Sequence, residues 1–179
     1  MSAVPGMRGA SRSRARVLLV GIGGLGCPAA IALVDAGVGT LGIADDDTVD
    51  LTNLHRQILF DEADVGAPKL DAAARALEHR ALARACELTI VLHRTRLLPH
   101  NAVAVVSAYD LVVEGSDNFA TKFLTADACA LAGVPVVHAA AVRWHGTALA
   151  VGARGMPCYR CVFEDLPAGD SNASTDEPA

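Results

Sequence analysis

The chain has few aromatic residues. Its 179 residues include four Phe, two Tyr and one Trp, or 4% of the sequence, although hydrophobic residues reach 52%. Ala, Val and Leu therefore carry most of the apolar content, which is typical of a buried sheet covered by helices. A chain of this length is expected to form one domain with a substantial core.

Basic residues are not in excess either. Fifteen Lys and Arg face twenty Asp and Glu, which gives a net charge of −5. Because proteins that bind nucleic acid usually present a basic surface to the phosphates, we do not expect a nucleic-acid partner.

The chain also has no uninterrupted apolar run of membrane-spanning length. Residues 17–34 carry no charge, but four glycines and a proline break this stretch. The pattern predicts a strand, a turn and a helix instead of one span. Arginines precede the run, yet no small-residue cleavage site follows, so a signal peptide is not predicted. We expect a cytoplasmic protein that has no membrane partner.

Cysteines are few and odd in number. Cys27, Cys86 and Cys129 lie in apolar surroundings and are interpreted as buried free thiols. Cys158 and Cys161 have the Cys-x-x-Cys spacing of zinc ligands, but a structural zinc site needs four ligands and no cysteine follows. The pair is therefore a zinc half-site, a reduced dithiol or a redox-labile disulfide.

Strand-like and helix-like segments alternate along the chain. Strands are predicted over 16–21, 40–44, 87–95, 111–114 and 134–138, with a hairpin over 141–151. Helices are predicted over 24–36, 68–85, 101–108 and 118–132. This order predicts an α/β, Rossmann-like fold: a doubly wound, mainly parallel sheet with helices on both faces and an antiparallel edge hairpin. We expect a loosely ordered arm over 1–15, a nucleotide-binding domain over 16–163 and a disordered tail over 164–179.

A glycine motif lies between the first strand and the first helix. Gly21, Gly23 and Gly26 form G-x-G-x-x-G, which permits a tight turn and a close approach of backbone to a phosphate. The helix N-terminus then faces the anion with free N–H groups. Asp45 ends the second strand, 19 residues after Gly26, where an acid would bind ribose hydroxyls. Up to this point, NAD fits as well as ATP.

The polar segment TVDLTNLHRQ (48–57) favours phosphoryl chemistry. Displacement at phosphorus requires cations around the phosphates, whereas hydride transfer does not. Arg56 lies in this segment, and Lys69 falls in the first turn of a helix, where a cation is either solvated or compensated by an anion. Asp117 and Asn118 follow the fourth strand, where a carboxylate can hold Mg²⁺, although Ser-Asp-Asn is also an ordinary helix cap.

Five motifs now stand in order over residues 16–163: GIGGLG, DDDTVDLTNLHRQ, VGAPK, EGSDN and CYRC. In this order and spacing the chain resembles the HesA/MoeB/ThiF family, relatives of the ubiquitin-activating enzymes. The resemblance implies a homodimer that binds ATP and Mg²⁺ and adenylates the C-terminal Gly-Gly carboxylate of a ubiquitin-like sulfur-carrier protein, as in molybdopterin or thiamine biosynthesis.

The resemblance also implies roles for individual residues. It assigns Asp45 to the ribose, Arg56 and Lys69 to neutralisation of the transition state, and Asp117 to Mg²⁺. The full set of expected nucleotide contacts is Gly21, Gly23, Gly24, Gly26, Asp45, Asn53, Arg56, Gln57, Lys69, Asp117 and Asn118.

The chain departs from the family at two places. It has no second Cys-x-x-Cys and no recognisable Arg-Tyr-x-Arg-Gln near its start, and it resembles a member shortened at the C-terminus. Three alternatives therefore stay open: a remnant that binds nucleotide or carrier without turnover, an NAD-binding Rossmann protein, and an ATP-dependent enzyme acting on a modified tRNA base.

Overall fold

The computed structural model describes residues 12–154 and 157–163, which form one sheet with helices packed on it. The predicted tail, and the predicted arm up to residue 11, lie outside the described residues. The strands are β1 (Arg16–Val20), β2 (Thr40–Ala44), β3 (Thr89–His93), β4 (Leu111–Glu114), β5 (Val136–Val142) and β6 (His145–Val151). The α-helices are α1 (Gly26–Asp35), α2 (Lys69–Ala83), α3 (Ala102–Val106), α4 (Phe119–Ala132) and α5 (Tyr159–Val162). Short 3-10 turns form at Arg12–Arg14, Leu51–Asn53 and Glu62–Asp64.

The six strands form one sheet in the order β3-β2-β1-β4-β5-β6. All neighbouring pairs are parallel except β5 and β6, which are antiparallel. This confirms the predicted Rossmann-like fold with an antiparallel edge. No helix within the described residues is both long and apolar enough to cross a membrane.

The central strand explains why helices cover both faces of the sheet. Leu18 and Leu19 point to opposite faces, and both side chains are fully buried. Leu19 packs in a core with residues of α1 and α2, whereas Leu18 packs in a second core with residues of α3 and α4. A strand segment buried on both sides needs apolar residues at every position, which matches the four residues after the exposed Arg16, VLLV.

The edge hairpin differs from the prediction. We expected a strand over 134–138 and a separate hairpin over 141–151, but β5 itself runs to Val142 and pairs with β6 along its whole length. The turn consists of Arg143 and Trp144, and Arg143 takes the left-handed backbone conformation (φ 52°) that tight hairpins require. Three alanines inside β5 carry no strong strand signal, which is why its length was underestimated. Most other element ends differ from the prediction by one or two residues.

The carboxyl ends of the inner strands form the crevice in which ligands of such sheets bind. The chain leaves β1 toward α1 on one face, while the neighbouring β4 leads into α4 on the other, so the strand order reverses between them. Backbone hydrogen bonds hold this edge together: Gly21 N–H donates to Ala44 O, and Gly115 N–H donates to Val20 O, each at 2.9 Å.

Candidate nucleotide-binding site

The glycine loop after β1 has the close backbone contacts that the motif predicts. Gly21 has φ 85°, and a Cβ there would lie 3.2 Å from Cα of Ser116 on the neighbouring loop. A Cβ on Gly26 would overlap the Gly21 carbonyl oxygen. Glycine at these two positions therefore lets the start of α1 pack directly on the end of β1.

Asp45 fixes this loop to the end of β2. One carboxylate oxygen accepts the Ile22 N–H at 2.8 Å, and the other accepts the Asp47 N–H at 2.9 Å. Burial raises the pKa of Asp45 above its usual range, and the two N–H bonds only partly oppose this rise. Each oxygen keeps one lone pair for a further donor, so the assignment of Asp45 to a ribose hydroxyl stays a prediction.

The polar segment 48–57 packs against the glycine loop. Cγ of Arg56 lies 3.3 Å from the position of a Cβ on Gly24, and Nε2 of Gln57 lies 3.9 Å from one on Gly23. The Asn53 carbonyl oxygen accepts the N–H groups of both Arg56 and Gln57, at 3.1 and 3.0 Å. The segment therefore brings Arg56 to the glycine loop, as predicted from its position after β2.

Gln57 also has an unusual environment. Its side chain is buried, and Oε1 has no hydrogen-bond partner among the described residues. A buried amide oxygen without a donor is energetically unfavourable. The amide nitrogen of the same side chain, Nε2, is the atom that lies next to the glycine loop.

Lys69 is the first residue of α2 and is buried, with 5% of its surface exposed. Its Nζ donates to Oδ2 of Asp47 at 2.9 Å, and its backbone N–H donates to the Asp47 carbonyl. Of the two alternatives left open by the sequence, a solvated cation or one compensated by an anion, the second holds, because Asp47 compensates Lys69 at the helix N-terminus. Asp47 carries more than half of its side chain exposed, so the pair borders the crevice.

The residues after β4 include the N-cap of α4, Asn118, and the carboxylate directly before it, Asp117. Oδ1 of Asn118 accepts the Thr121 N–H at 2.8 Å and so caps α4, which confirms the helix-cap interpretation of Asn118. Its contact with a nucleotide stays a prediction. Asp117, directly before the cap, is close enough to Arg96 for its charge to raise the pKa of that guanidinium.

Arg96 lies close to acidic side chains after both β2 and β4. It was not identified as a site residue from the sequence. Its Nε donates to both carboxylate oxygens of Asp46 at 2.9 and 3.0 Å, and this pairing, more than the charges of Asp47 and Asp117, raises its pKa. One carboxylate oxygen each from Asp45, Asp46 and Asp47 lies within 4.8 Å of the others. Such oxygens are the ligands that Mg²⁺ prefers. The position of Arg96 just after β3, at the same sheet edge, was the available signal.

A buried charged network lies behind the Asp117 turn, and it too was missed. Oε2 of Glu114 accepts Nζ of Lys122 at 2.9 Å and Nδ1 of His138 at 3.2 Å. Oε1 accepts the N–H of Ser116 at 2.8 Å and also its hydroxyl. Burial raises the pKa of Glu114, but the bonds from His138 and Ser116 and the charge of Lys122 outweigh it and hold the pKa below its usual range.

The cysteines behave as two groups. Burial raises the pKa of Cys27 to about 11 and that of Cys129 to about 12, which confirms both as buried thiols, whereas Cys86 is only half-buried. Sγ of Cys158 lies 3.4 Å from Sγ of Cys161, whose hydrogen bond lowers the pKa of Cys158. Within the described part of the chain, no third His, Cys, Asp or Glu joins them as a metal ligand.

Comparison with known proteins gives consistent matches. The model of the ThiF family matches residues 4–177. The adenylyltransferase and sulfurtransferase MOCS3 of Anopheles gambiae is 44% identical over 158 residues, which is 88% of this chain and 35% of that protein. The chain thus spans about a third of the length of the curated relatives it matches.

Solved structures agree with the sequence matches. E. coli MccB with ATP superposes with a TM-score of 0.75 at 26% identity, over 83% of this chain and 44% of MccB. The E. coli tRNA N6-threonylcarbamoyladenosine dehydratase TcdA, in complex with AMP, gives a TM-score of 0.64 at 29% identity, over 70% of this chain and 51% of TcdA. The family match covers nearly the whole sequence, so the chain belongs to the ThiF family.

Proposed function

We propose that the chain is an ATP-dependent adenylyltransferase that activates the C-terminal Gly-Gly carboxylate of a ubiquitin-like sulfur-carrier protein. The observation that carries this proposal is the packing of Arg56 against the glycine loop. Lys69 is paired with Asp47 just after β2, and Asp117 follows β4 at the same edge of the sheet. MOCS3 is named as an adenylyltransferase, and MccB was solved with ATP, which supports the choice of reaction and nucleotide.

Positions around the crevice fit the parts of a nucleoside triphosphate. The phosphates would lie on the glycine loop at the start of α1, with Gly21, Gly23, Gly24 and Gly26 allowing close approach. The Asn53 carbonyl oxygen accepts the Arg56 N–H, and the Arg56 side chain lies against this loop. Asn53 and Gln57 would contact the nucleotide from the same segment, and Lys69 would contact the phosphates from α2. The Lys69 ammonium has three donors, of which Asp47 uses one, so two are left for phosphate oxygens.

The proposed reaction is a displacement at the α-phosphorus of ATP. The Gly-Gly carboxylate is already ionised, so it attacks without a general base and forms the acyl–phosphate bond, while the bond to pyrophosphate breaks and pyrophosphate leaves. Negative charge grows on the non-bridging and leaving oxygens. Arg56 and Lys69 would neutralise it, which is the electrostatic stabilisation that such transfers require.

Magnesium would be held at the acidic edge of this crevice. Asp117 is the proposed ligand, and the carboxylates of Asp45, Asp46 and Asp47 supply the surrounding negative charge. When bound, Mg²⁺ would offset charge on the phosphates and orient them.

The remaining assignments are proposals of the same kind. We propose a cytoplasmic homodimer, with residues 16–163 as its nucleotide-binding domain. Zinc would bind Cys158 and Cys161 only if two further ligands came from outside the described residues. The two thiols at 3.4 Å suit a reduced pair as well as a shared metal.

ATP–pyrophosphate exchange tests the proposal. The full chain is incubated with Mg²⁺, labelled pyrophosphate and a panel of carrier proteins that end in Gly-Gly, and Arg56→Ala is compared with Arg84→Ala. Arg84 follows the far end of α2, about 22 Å along the helix from Lys69, so its loss should leave exchange unchanged.

Exchange that depends on one carrier and disappears only in Arg56→Ala is the expected result. If ATP binds but no carrier supports exchange, the chain is a nucleotide-binding remnant and the proposal is wrong. Binding of NAD in place of ATP would instead favour the dehydrogenase alternative. Adenylate transfer to RNA, and not to any carrier, would favour an enzyme that acts on a tRNA base.

A further inference from the structure

Glu114 has no exposed surface, although it lies only three residues before Asp117. Its two carboxylate oxygens accept hydrogen bonds from different residues. Oε2 binds Lys122 of α4 and His138 of β5, and so anchors Glu114 within the domain. Oε1 binds the N–H and the hydroxyl of Ser116, and so holds the turn that leads to Asp117.

The turn at Ser116 touches the glycine loop directly. N and Cα of Ser116 lie 3.2 Å from the position of a Cβ on Gly21, and Gly115 N–H donates to Val20 O. A displacement of Ser116 would therefore move both the glycine loop and the backbone of Asp117. Among the described residues, Glu114 is the only carboxylate that accepts a hydrogen bond from Ser116.

The network is also buried. Lys122 and His138 are buried, and Lys122 gives a second hydrogen bond to the Ala139 carbonyl at 2.7 Å. The ring of Tyr159 covers His138 with centroids 4.7 Å apart and is itself 3% exposed. In such low-dielectric surroundings these hydrogen bonds are strong and leave few alternative positions for the carboxylate.

A buried ion pair seldom stabilises a protein more than apolar residues of the same size would, so stability alone does not account for Glu114. We propose that Glu114 is a positioning residue for the magnesium nucleotide: anchored by Lys122 and His138, it fixes Ser116 and thereby the carboxylate of Asp117. This inference rests on the proposed function, because that function assigns Asp117 to Mg²⁺.

The test measures ATP binding by the full chain at increasing Mg²⁺ concentrations and again in EDTA. Glu114→Gln keeps the shape of the side chain but loses its charge, and Ser116→Ala removes only the hydroxyl bond. Val112→Ala is the control: it lies two residues earlier on β4, is fully buried, and loses apolar packing without touching the network.

Loss of a group that orients a metal ligand typically weakens metal binding about tenfold or more. We therefore expect Glu114→Gln to raise the Mg²⁺ concentration at half-saturation about tenfold, with a smaller rise in Ser116→Ala. ATP affinity in EDTA should stay at the wild-type value in both variants. Val112→Ala should unfold at a lower denaturant concentration yet keep the wild-type Mg²⁺ dependence.

An unchanged Mg²⁺ dependence in folded Ser116→Ala and Glu114→Gln would overturn the inference. If Glu114→Gln does not fold, Ser116→Ala decides alone. Because binding requires no carrier protein, this result is independent of pyrophosphate exchange: exchange can fail and remove the adenylation proposal while the Mg²⁺ shift still supports Glu114. Failure of the wild-type chain to bind ATP at all would remove both.

Discussion

Replacement of Lys69 by methionine should separate stability from activity. The ammonium pairs with Asp47, whose side chain is 56% exposed, and partly exposed ion pairs of this kind contribute about 0–1 kcal/mol. Against this, a cation in the first turn of a helix is unfavourable by about 0.3–1 kcal/mol. Methionine keeps the buried aliphatic stem, so the free energy of unfolding should change by less than about 1 kcal/mol.

Catalysis should respond differently, because the growing negative charge on phosphate loses one of its two proposed protein cations. Loss of a single electrostatic group at a developing oxyanion typically lowers the rate by about 10²–10³-fold. We therefore expect carrier-dependent pyrophosphate exchange in Lys69→Met to fall by about that factor. ATP binding should weaken less than the rate falls, since the charge being neutralised is largest in the transition state.

Urea denaturation and pyrophosphate exchange on the same preparations give both quantities. Lys122→Met is the matched comparison: that lysine is also buried, but its loss leaves the Glu114 carboxylate without its cation and should cost about 3–5 kcal/mol. The reasoning fails if Lys69→Met unfolds as readily as Lys122→Met. It fails equally if Lys69→Met retains full exchange activity.

Three further predictions follow from individual contacts. Gly26→Ala should lower the unfolding temperature and prevent ATP binding, because its Cβ overlaps the Gly21 carbonyl oxygen, whereas Gly146→Ala, whose Cβ would lie at an ordinary 4.0 Å from the Ala140 carbonyl oxygen, should do neither. Thr125→Val should leave stability unchanged or raise it by up to about 1 kcal/mol in urea denaturation, since the buried hydroxyl has no partner among the described residues; a clear loss would contradict this. At pH 8 a thiol reagent should modify the half-buried Cys158 and the exposed Cys161 of the native protein and spare the two buried thiols with raised pKa, so mass mapping should find label on Cys158 and Cys161 and none on Cys27 and Cys129.

Local sequence signals were sufficient to predict features that are built from consecutive residues. The apolar run before Gly21, and the spacing to Gly26, predicted a strand, a phosphate loop and a helix because these residues are consecutive. Arg56 was placed at the crevice because parallel strands end at one edge of a sheet.

Contacts that depend on several elements were not predictable. The partner of Lys69 is Asp47, 22 residues earlier, and the pair forms only because the chain after β2 returns to the start of α2 through the bridge between Thr48 and Pro68. In the sequence, Glu114 is only the last residue of a predicted strand. Its partners, Lys122 and His138, come from α4 and β5 and meet it only in the folded structure. Periodicity gives each element its buried face but not which residues of three elements meet.

Intact mass spectrometry of a carrier protein tests the central claim most directly. A Gly-Gly-ending carrier is incubated with the full chain, ATP and Mg²⁺, with Arg56→Ala in parallel. The account predicts an AMP adduct on the carrier's C-terminal carboxylate that is absent with Arg56→Ala. Carriers that stay unmodified throughout, while the wild-type chain demonstrably binds ATP, would contradict it.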